Sequence, residues 1–250
     1  MKAEPMNAPH VVALQYRIEY RADVINWSRA VPLKKEEADF YVQVKDGWVH
    51  FVFKQTYASE KEARSVTETV YIPNWEFAVG LSRGPGAFAL RFFLAKYSDR
   101  FRVEFRAGIP SVRVNLAPPK PTCFPEPPSA GIKRSWEVDN MYKHYLKFLE
   151  GKESLSTMAY FCLTSLEEIA GNRDSAAVQF GISKRVFKRI GDLSSNKGGD
   201  GARKAAGQRA PYTGEEERFL KSAAGKLIYR VAEVEYGHHP SRKKITLADI

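Results

Sequence analysis

The cationic side chains in the second half of the chain are its strongest chemical signal. Between residues 184 and 209 there are eight basic residues and two acidic ones, which contribute +6 to a formal net charge of +10 for 250 residues. The basic residues are Lys184, Arg185, Lys188, Arg189, Lys197, Arg203, Lys204 and Arg209. Because Lys and Arg bind phosphate groups in a salt-dependent manner, this charge predicts an anionic partner.

The first four of these cations fit one face of a helix. Apolar residues recur three or four positions apart at Val186, Phe187, Ile190 and Leu193, so they are predicted to share a buried face. The four cations then lie on the opposite, outward face. Ser183 stands directly before them, where its hydroxyl would cap the helix by accepting a backbone N–H bond.

The stretch from about residue 173 to residue 194 resembles the helix-turn-helix of bacterial repressors and resolvases. The resemblance rests on Ala177, Gly181, Ile182, Ser183, Phe187 and Ile190. In that motif a small residue at the Ala177 position lets the two helices approach closely, and glycine at the Gly181 position permits the tight turn. The resemblance implies that the helix after Ser183 enters the major groove of DNA.

The candidate nucleic-acid-binding residues follow from the motif and the charge together. Base-edge contacts are assigned to the start of the recognition helix. The segment 194–212 is rich in Gly, Ser and basic residues, so it is predicted to be a loop that binds phosphates. The full set is Ser183, Lys184, Arg185 and Lys188 at the start of the helix and Arg189, Lys197, Arg203, Lys204 and Arg209 toward the loop. A regulator of this kind would need a homodimer that matches two half-sites.

Two other interpretations of the second half remain open. Exposed basic helix faces are often only solvated, so the segment can also be a structural helix pair in a protein that binds a protein partner. The organisation of the chain also loosely resembles the HEPN-type proteins of bacterial defence systems. Ribonucleases of that group carry an Arg, four to six residues and then a His. Here Arg230 and His238 have seven residues between them, and Arg134 and His144 have nine, so this resemblance implies an inactive or binding relative.

Catalytic and metal-binding patterns are weak throughout the sequence. There is no Walker loop, dinucleotide fingerprint or Gly-x-Ser-x-Gly elbow. The pair His238-His239 has no ligand partner at helical spacing and is interpreted as a solvated helix end, while Cys162 is predicted to be a buried apolar residue. We therefore expect a non-enzymatic protein with no cofactor and no metal.

Hydropathy predicts a protein without a membrane partner. Residues 1–10 are polar and lack the apolar core of a signal peptide, and no window approaches eighteen uninterrupted apolar residues. The expected location is the cytoplasm.

The first half has the strand patterns of an α+β domain with a mainly antiparallel sheet. Val12, Leu14, Tyr16, Ile18 and Tyr20 alternate with polar residues. Asp46-Gly47 predicts a type I′ turn that pairs Val44 with Val49, Val42 with Phe51 and Phe40 with Phe53. Further strands are predicted at 88–94, 101–105 and 112–116. The aromatic residues predicted to lie in the core are Trp27, Trp48, Phe51, Phe53, Trp75 and Phe92.

One or two helices are predicted between these strands. Ser59 and Glu62 have the spacing of a capping box, and Ala63, Val66 and Val70 would form the buried stripe. Pro73 is expected to stop or kink the helix, and a second helical stretch covers about residues 75–81.

Proline divides the chain. Seven of the fourteen prolines lie between residues 110 and 128, so we expect an α+β domain over 1–117, a stiff linker over 118–133 and a helical domain over 134–250. The helical domain is predicted to be a bundle with one helix over 136–149. A second begins after Ser154 or Ser156 and ends at Gly171, and a long third begins at the capping box Thr213–Glu216.

Overall fold

The computed structural model describes residues 9–20, 32–83, 87–98, 124, 127–128, 131–198, 210–237 and 244–250. The chain divides into two compact units, residues 1–127 (unit 1) and 128–250 (unit 2). This division falls within the proline-rich stretch that the sequence assigns to a linker. Unit 1 contains an antiparallel sheet and unit 2 is helical, so the chain is an α+β protein.

The described residues of unit 1 form a five-stranded sheet in which every pairing is antiparallel. Its order is β2-β3-β4-β1-β5. The strands are β1 (Val11–Glu19), β2 (Leu33–Glu36), β3 (Phe40–Lys45), β4 (Trp48–Tyr57) and β5 (Ala89–Tyr97). The strands predicted at 101–105 and 112–116 lie outside the described residues.

The predicted hairpin is confirmed in its register and its turn. Phe40 pairs with Phe53, Val42 with Phe51 and Val44 with Val49, and all six side chains are buried. Asp46 and Gly47 have φ of 51° and 80°, which are the positive values that a type I′ turn requires.

A helical run crosses one face of the sheet and closes the core of unit 1. It consists of α1 (Glu60–Val66), a π-helical turn (Thr67–Tyr71) and α2 (Ile72–Arg83). The Ser59 hydroxyl accepts the Glu62 N–H, as predicted, whereas the Glu62 carboxylate accepts the N–H of Ala58. Trp75 of α2 is fully buried among the strand residues.

Pro73 shifts the helix register without ending the helix. Proline cannot donate a backbone bond and clashes with the preceding turn, and here the turn widens so that the Ile72 N–H bonds to the Thr67 carbonyl. The extra residue changes the spacing of the buried positions, which follow one another as Ala63, Thr67 and Ile72. The prediction that Val70 is buried is therefore wrong, since its side chain is 52% exposed.

Two irregularities in the sheet change which residues face the core. The register shifts between Val11 and Ala13 in β1, so Val11 lies in the core where alternation predicts Val12. A second shift opposite Gln15 and Tyr16 leaves Phe93 as an extra residue in β5. Bulges of this kind reverse the alternation of a strand.

The described residues of unit 2 form five α-helices. They are α3 (Trp136–Leu149), α4 (Leu155–Ala170), α5 (Arg173–Gln179), α6 (Lys184–Asn196) and α7 (Gly214–Glu235), followed by a 3₁₀ turn (Leu247–Asp249). Ser154 caps α4, Gly171 ends it with φ of 86°, and Thr213 and Glu216 form the predicted reciprocal capping box at α7. Within the described ranges, no helix combines the length and apolarity that a membrane crossing needs.

Candidate nucleic-acid interface

The candidate interface is formed by α5, a four-residue turn and α6. The Asn172 side chain caps α5 by accepting the Ser175 N–H at 2.8 Å. The end of α5 is a Schellman motif, in which the Ile182 N–H bonds to the Ala177 carbonyl and the Gly181 N–H bonds to the Val178 carbonyl. Gly181 has φ of +58°, so the sharp turn between the helices depends on glycine at this position.

The buried side of this helix pair agrees with the amphipathic pattern of the sequence. Ser183 caps α6 by accepting the Val186 N–H, and the apolar face of α6 packs mainly against α4. Ala177 is also buried, consistent with the close approach of α5 and α6. The buried residues of α6 are Val186, Phe187, Ile190, Leu193 and Ser194.

The four cations of α6 are all exposed but differ in their surroundings. The Lys184 ammonium lies 2.8 Å from the Asp174 carboxylate, and both side chains are mostly in solvent. The Arg189 guanidinium lies over the Phe219 ring, 4.8 Å from its centre. Within the described ranges, Arg185 and Lys188 have no ion pair. These two side chains are thus the cations of α6 most available to a phosphate or a base.

Lys197 is committed to a partner inside unit 2. Its ammonium lies 2.6 Å from the Glu216 carboxylate, which also accepts the backbone N–H of Thr213 at the start of α7. Lys197 and the Thr213 N–H hold the pKa of Glu216 below its ordinary value because both favour the charged carboxylate. Lys197 therefore joins the end of α6 to the beginning of α7, a contact that its place in a basic stretch does not predict.

The first residues of the predicted basic loop belong to a helix. Residues 194–196 belong to α6, since Ser194 is buried and its hydroxyl donates to the Ile190 carbonyl at 2.7 Å. The Gly198 N–H then bonds to the Ala210 carbonyl, and the Tyr212 hydroxyl donates to the Lys197 carbonyl. Residues 197 and 198 are thus held to residues 210 and 212 near the end of α6. Arg203, Lys204 and Arg209 lie outside the described residues.

The end of the chain supports the turn between α5 and α6. Ile245 makes a parallel bridge with Ile182, in which the Ser183 N–H donates to the Ile245 carbonyl and the Ile245 N–H donates to the Gly181 carbonyl. Both isoleucine side chains are buried. No sequence pattern predicts this contact, since its only local signal is a single isoleucine between polar residues.

The candidate catalytic residues each contact a different partner and do not form one cluster within the described residues. His144 Nδ1 lies 2.8 Å from a Glu153 carboxylate oxygen and its ring stacks on Phe161, whereas the Arg134 guanidinium binds Asp139. Cys162 is buried as predicted, and burial raises the pKa of its thiol to about 12. Arg230 pairs with Glu233, and His238 and His239 lie outside the described residues.

Metal ligands do not gather in the part of the chain that the structure describes. No group of three or more His, Cys, Asp or Glu side chains is found there that could hold an ion.

The comparisons with known proteins leave the geometry as the basis for function. No family model, curated protein or solved structure matches the chain.

Proposed function

We propose that this protein binds duplex DNA through α6, with Arg185 and Lys188 as its principal contacts. The observation that carries the proposal is the division of α6 into two faces. One face is buried in unit 2, and the other presents Lys184, Arg185, Lys188 and Arg189 to solvent. A rigid amphipathic helix with cations along its free face fits the major groove, where Arg and Lys bind guanine edges and phosphates.

The order of the charges along α6 supports separate roles for them. Lys184, Arg185 and Lys188 lie in the first two turns, next to the positive end of the helix dipole. The rest of the basic stretch follows in sequence after the opposite end, about 18 Å away for a helix of 13 residues. We assign base contacts to the first end and phosphate contacts to the second, with Ser183 positioning the first turn. A cytoplasmic regulator that acts as a homodimer on two half-sites is the form of this function that we favour.

The experiment is a fluorescence-anisotropy titration of a labelled 20-base-pair duplex with the full chain. The test variant is Arg185→Glu with Lys188→Glu, in which both side chains are exposed and lack ion pairs within the described ranges. We expect the affinity to fall by more than about tenfold at 50 mM salt. The slope of log affinity against log salt concentration should decrease by the amount that about two phosphate contacts contribute.

The matched control is Lys61→Glu with Lys143→Glu, which makes the same change in net charge elsewhere. Lys61 is the second residue of α1, as Arg185 is of α6, and Lys143 is exposed near the middle of α3. Binding should remain within about twofold in the control. Equal binding by the test variant and the wild-type chain would make α5 and α6 a structural helix pair, and the partner would then be sought among proteins.

A further inference from the structure

Among the described residues, the sheet of unit 1 has a second face that lies outside the hydrophobic core. One face is buried under α1 and α2. The other carries the side chains that alternate with the buried ones along each strand. We call this second face the outer sheet face, and its side chains lie in three rows that run across the strands. The rows are Lys45-Trp48-Arg17-Arg91, Lys34-Gln43-His50-Gln15-Leu94 and Glu36-Tyr41-Val52-Ala13-Lys96.

The first row places three cations beside an aromatic ring. Lys45, Trp48, Arg17 and Arg91 are direct neighbours on four adjacent strands, so the row is about 14 Å long at a strand spacing of about 4.8 Å. Arg17, Lys45 and Arg91 are exposed. Trp48 is only half-buried and packs on Phe93 with their ring centres 4.7 Å apart, so the prediction that Trp48 lies in the core is wrong.

The second row supplies neutral hydrogen-bonding groups. Gln43, His50 and Gln15 stand side by side, with Lys34 at one end. Burial, with the nearby positive charge of Lys96, lowers the pKa of His50 below its ordinary value. A neutral imidazole can both donate and accept, as the amides do, and the edges of unpaired bases need both functions.

The third row adds a second aromatic ring. Tyr41 is 42% exposed, and the Lys54 ammonium lies 5.0 Å from its ring centre. Lys54 also pairs with Glu36 at 2.7 Å. Trp48 and Tyr41 therefore lie two rows apart, with the hydrogen-bonding row between them.

The charge of the face favours a polyanion. Within the described ranges, its strands carry four more basic than acidic side chains on this face. The basic residues are Arg17, Lys34, Lys45, Lys54, Arg91 and Lys96, and the acidic ones are Glu19 and Glu36. Glu19 and Glu36 are paired with Arg91 and Lys54, while Arg17 and Lys34 have no ion pair within those ranges.

We propose that the outer sheet face binds single-stranded nucleic acid, with bases stacking on Trp48 and Tyr41 and phosphates held by Arg17 and Lys45. Duplex DNA hides the faces of its bases, whereas single strands offer them to aromatic side chains on an open sheet. The combination of aromatic rings, neutral amides and exposed cations is the chemistry that such a strand requires; the contact of Lys45 with Asp46 at 3.9 Å is long and lies in solvent. This surface belongs to unit 1 and does not depend on the duplex-binding proposal for α6.

The experiment uses the full chain and two labelled probes, a 12-nucleotide oligo-dT single strand and the 20-base-pair duplex. The sheet variant is Arg17→Glu with Lys45→Glu, and the controls are the α6 variant and the Lys61→Glu, Lys143→Glu chain. The sheet variant should bind the single strand more than about tenfold more weakly while its duplex affinity stays within about twofold. The α6 variant should show the reverse pattern if the proposed duplex site is correct, so the two proposals fail separately.

A second measurement tests stacking without a change of charge. Unlabelled oligo-dT should quench the tryptophan fluorescence of the wild-type chain, and Trp48→Phe should remove most of the quenching. Trp136→Phe is the matched control, since Trp136 is 74% exposed and lies in unit 2. Single-strand affinity that is unchanged in the sheet variant, or quenching that is lost with Trp136 and kept without Trp48, would overturn the proposal.

Discussion

Lys188 and Lys197 differ in what surrounds their ammonium groups, although both belong to the basic stretch of unit 2. Lys188 is exposed on α6 with no ion pair within the described ranges, whereas the ammonium of Lys197 lies 2.6 Å from Glu216. A cation that already has a carboxylate partner has to lose that partner before it can bind a phosphate. The two residues should therefore contribute differently to nucleic-acid binding.

We expect Lys188→Ala to weaken duplex binding. The slope of log affinity against log salt concentration, the salt slope, should decrease by the amount that about one phosphate contact contributes. Lys197→Ala should leave that slope unchanged and lower the stability of unit 2, because Glu216 loses the cation that stabilises its charge. The pKa of Glu216 is depressed in the folded chain, so this stabilisation is present above the ordinary pKa of a glutamate and is lost as the pH falls below it.

Salt-dependent anisotropy and urea unfolding at pH 7 and pH 4 measure these two effects. A salt slope that falls as much in Lys197→Ala as in Lys188→Ala would return Lys197 to the phosphate-binding set. A smaller loss of stability between pH 7 and pH 4 in Lys197→Ala than in the wild-type chain would support its role at the start of α7, since the Thr213 N–H still favours the charged Glu216.

At the scale of elements, the last residues of the chain determine how firmly the α5–α6 turn is held. Ser183 both caps α6 and donates its N–H to the Ile245 carbonyl, so the start of α6 depends on a residue about sixty positions away. Gly181 and Ile182 on the same turn make the other contacts of this bridge. The first turn of α6 carries Arg185, so this support also bears on the proposed interface.

We expect Ile245→Ala to lower the free energy of unfolding of unit 2 by about 2 kcal/mol, because its buried side chain packs at the turn. Hydrogen exchange at the Ser183 amide should accelerate, and duplex affinity should fall. Leu247→Ala is the matched control, since Leu247 is 38% exposed and should change both quantities little. Unaltered Ser183 exchange in Ile245→Ala would contradict this role.

Local sequence patterns were sufficient to predict the positions of some helices and strands but not of others. The hairpin around Asp46-Gly47 and the helix from Trp136 to Leu149 match their predicted positions, because turn chemistry and hydrophobic period act within a few residues. The π turn before Pro73 and the extra residue at Phe93 did not follow from such patterns. Both insert one residue into a regular period, and which residue is inserted depends on packing against distant strands.

At the scale of the whole molecule, the chain is two compact units with a separate proposed surface on each. Unit 1 has its own core around Trp75, and unit 2 is built around α4, which packs against α3, α5, α6 and α7. Units with separate cores are often able to fold alone.

We expect residues 128–250, produced alone, to unfold cooperatively and to bind the duplex within about threefold of the full chain. The same fragment should lose single-strand binding, which the proposal places in unit 1. Circular dichroism during thermal unfolding and the two anisotropy probes provide the measurement. A fragment that folds but cannot bind the duplex would show that α6 is not a sufficient site.

The sequence by itself determined the α+β class, the hairpin register and the two faces of α6, because these depend on residue period and turn preference over short distances. Tertiary structure alone decided that Lys197 pairs with Glu216, that Arg189 lies on Phe219 and that Ile245 supports the turn at Ile182. The position of Trp48 on the outer sheet face, in contrast, already follows from alternation along β4, because Val49, Phe51 and Phe53 face the core. The period of a strand or helix says which residues share a side. Only the packing of distant segments decides which side is buried and which cation finds a partner.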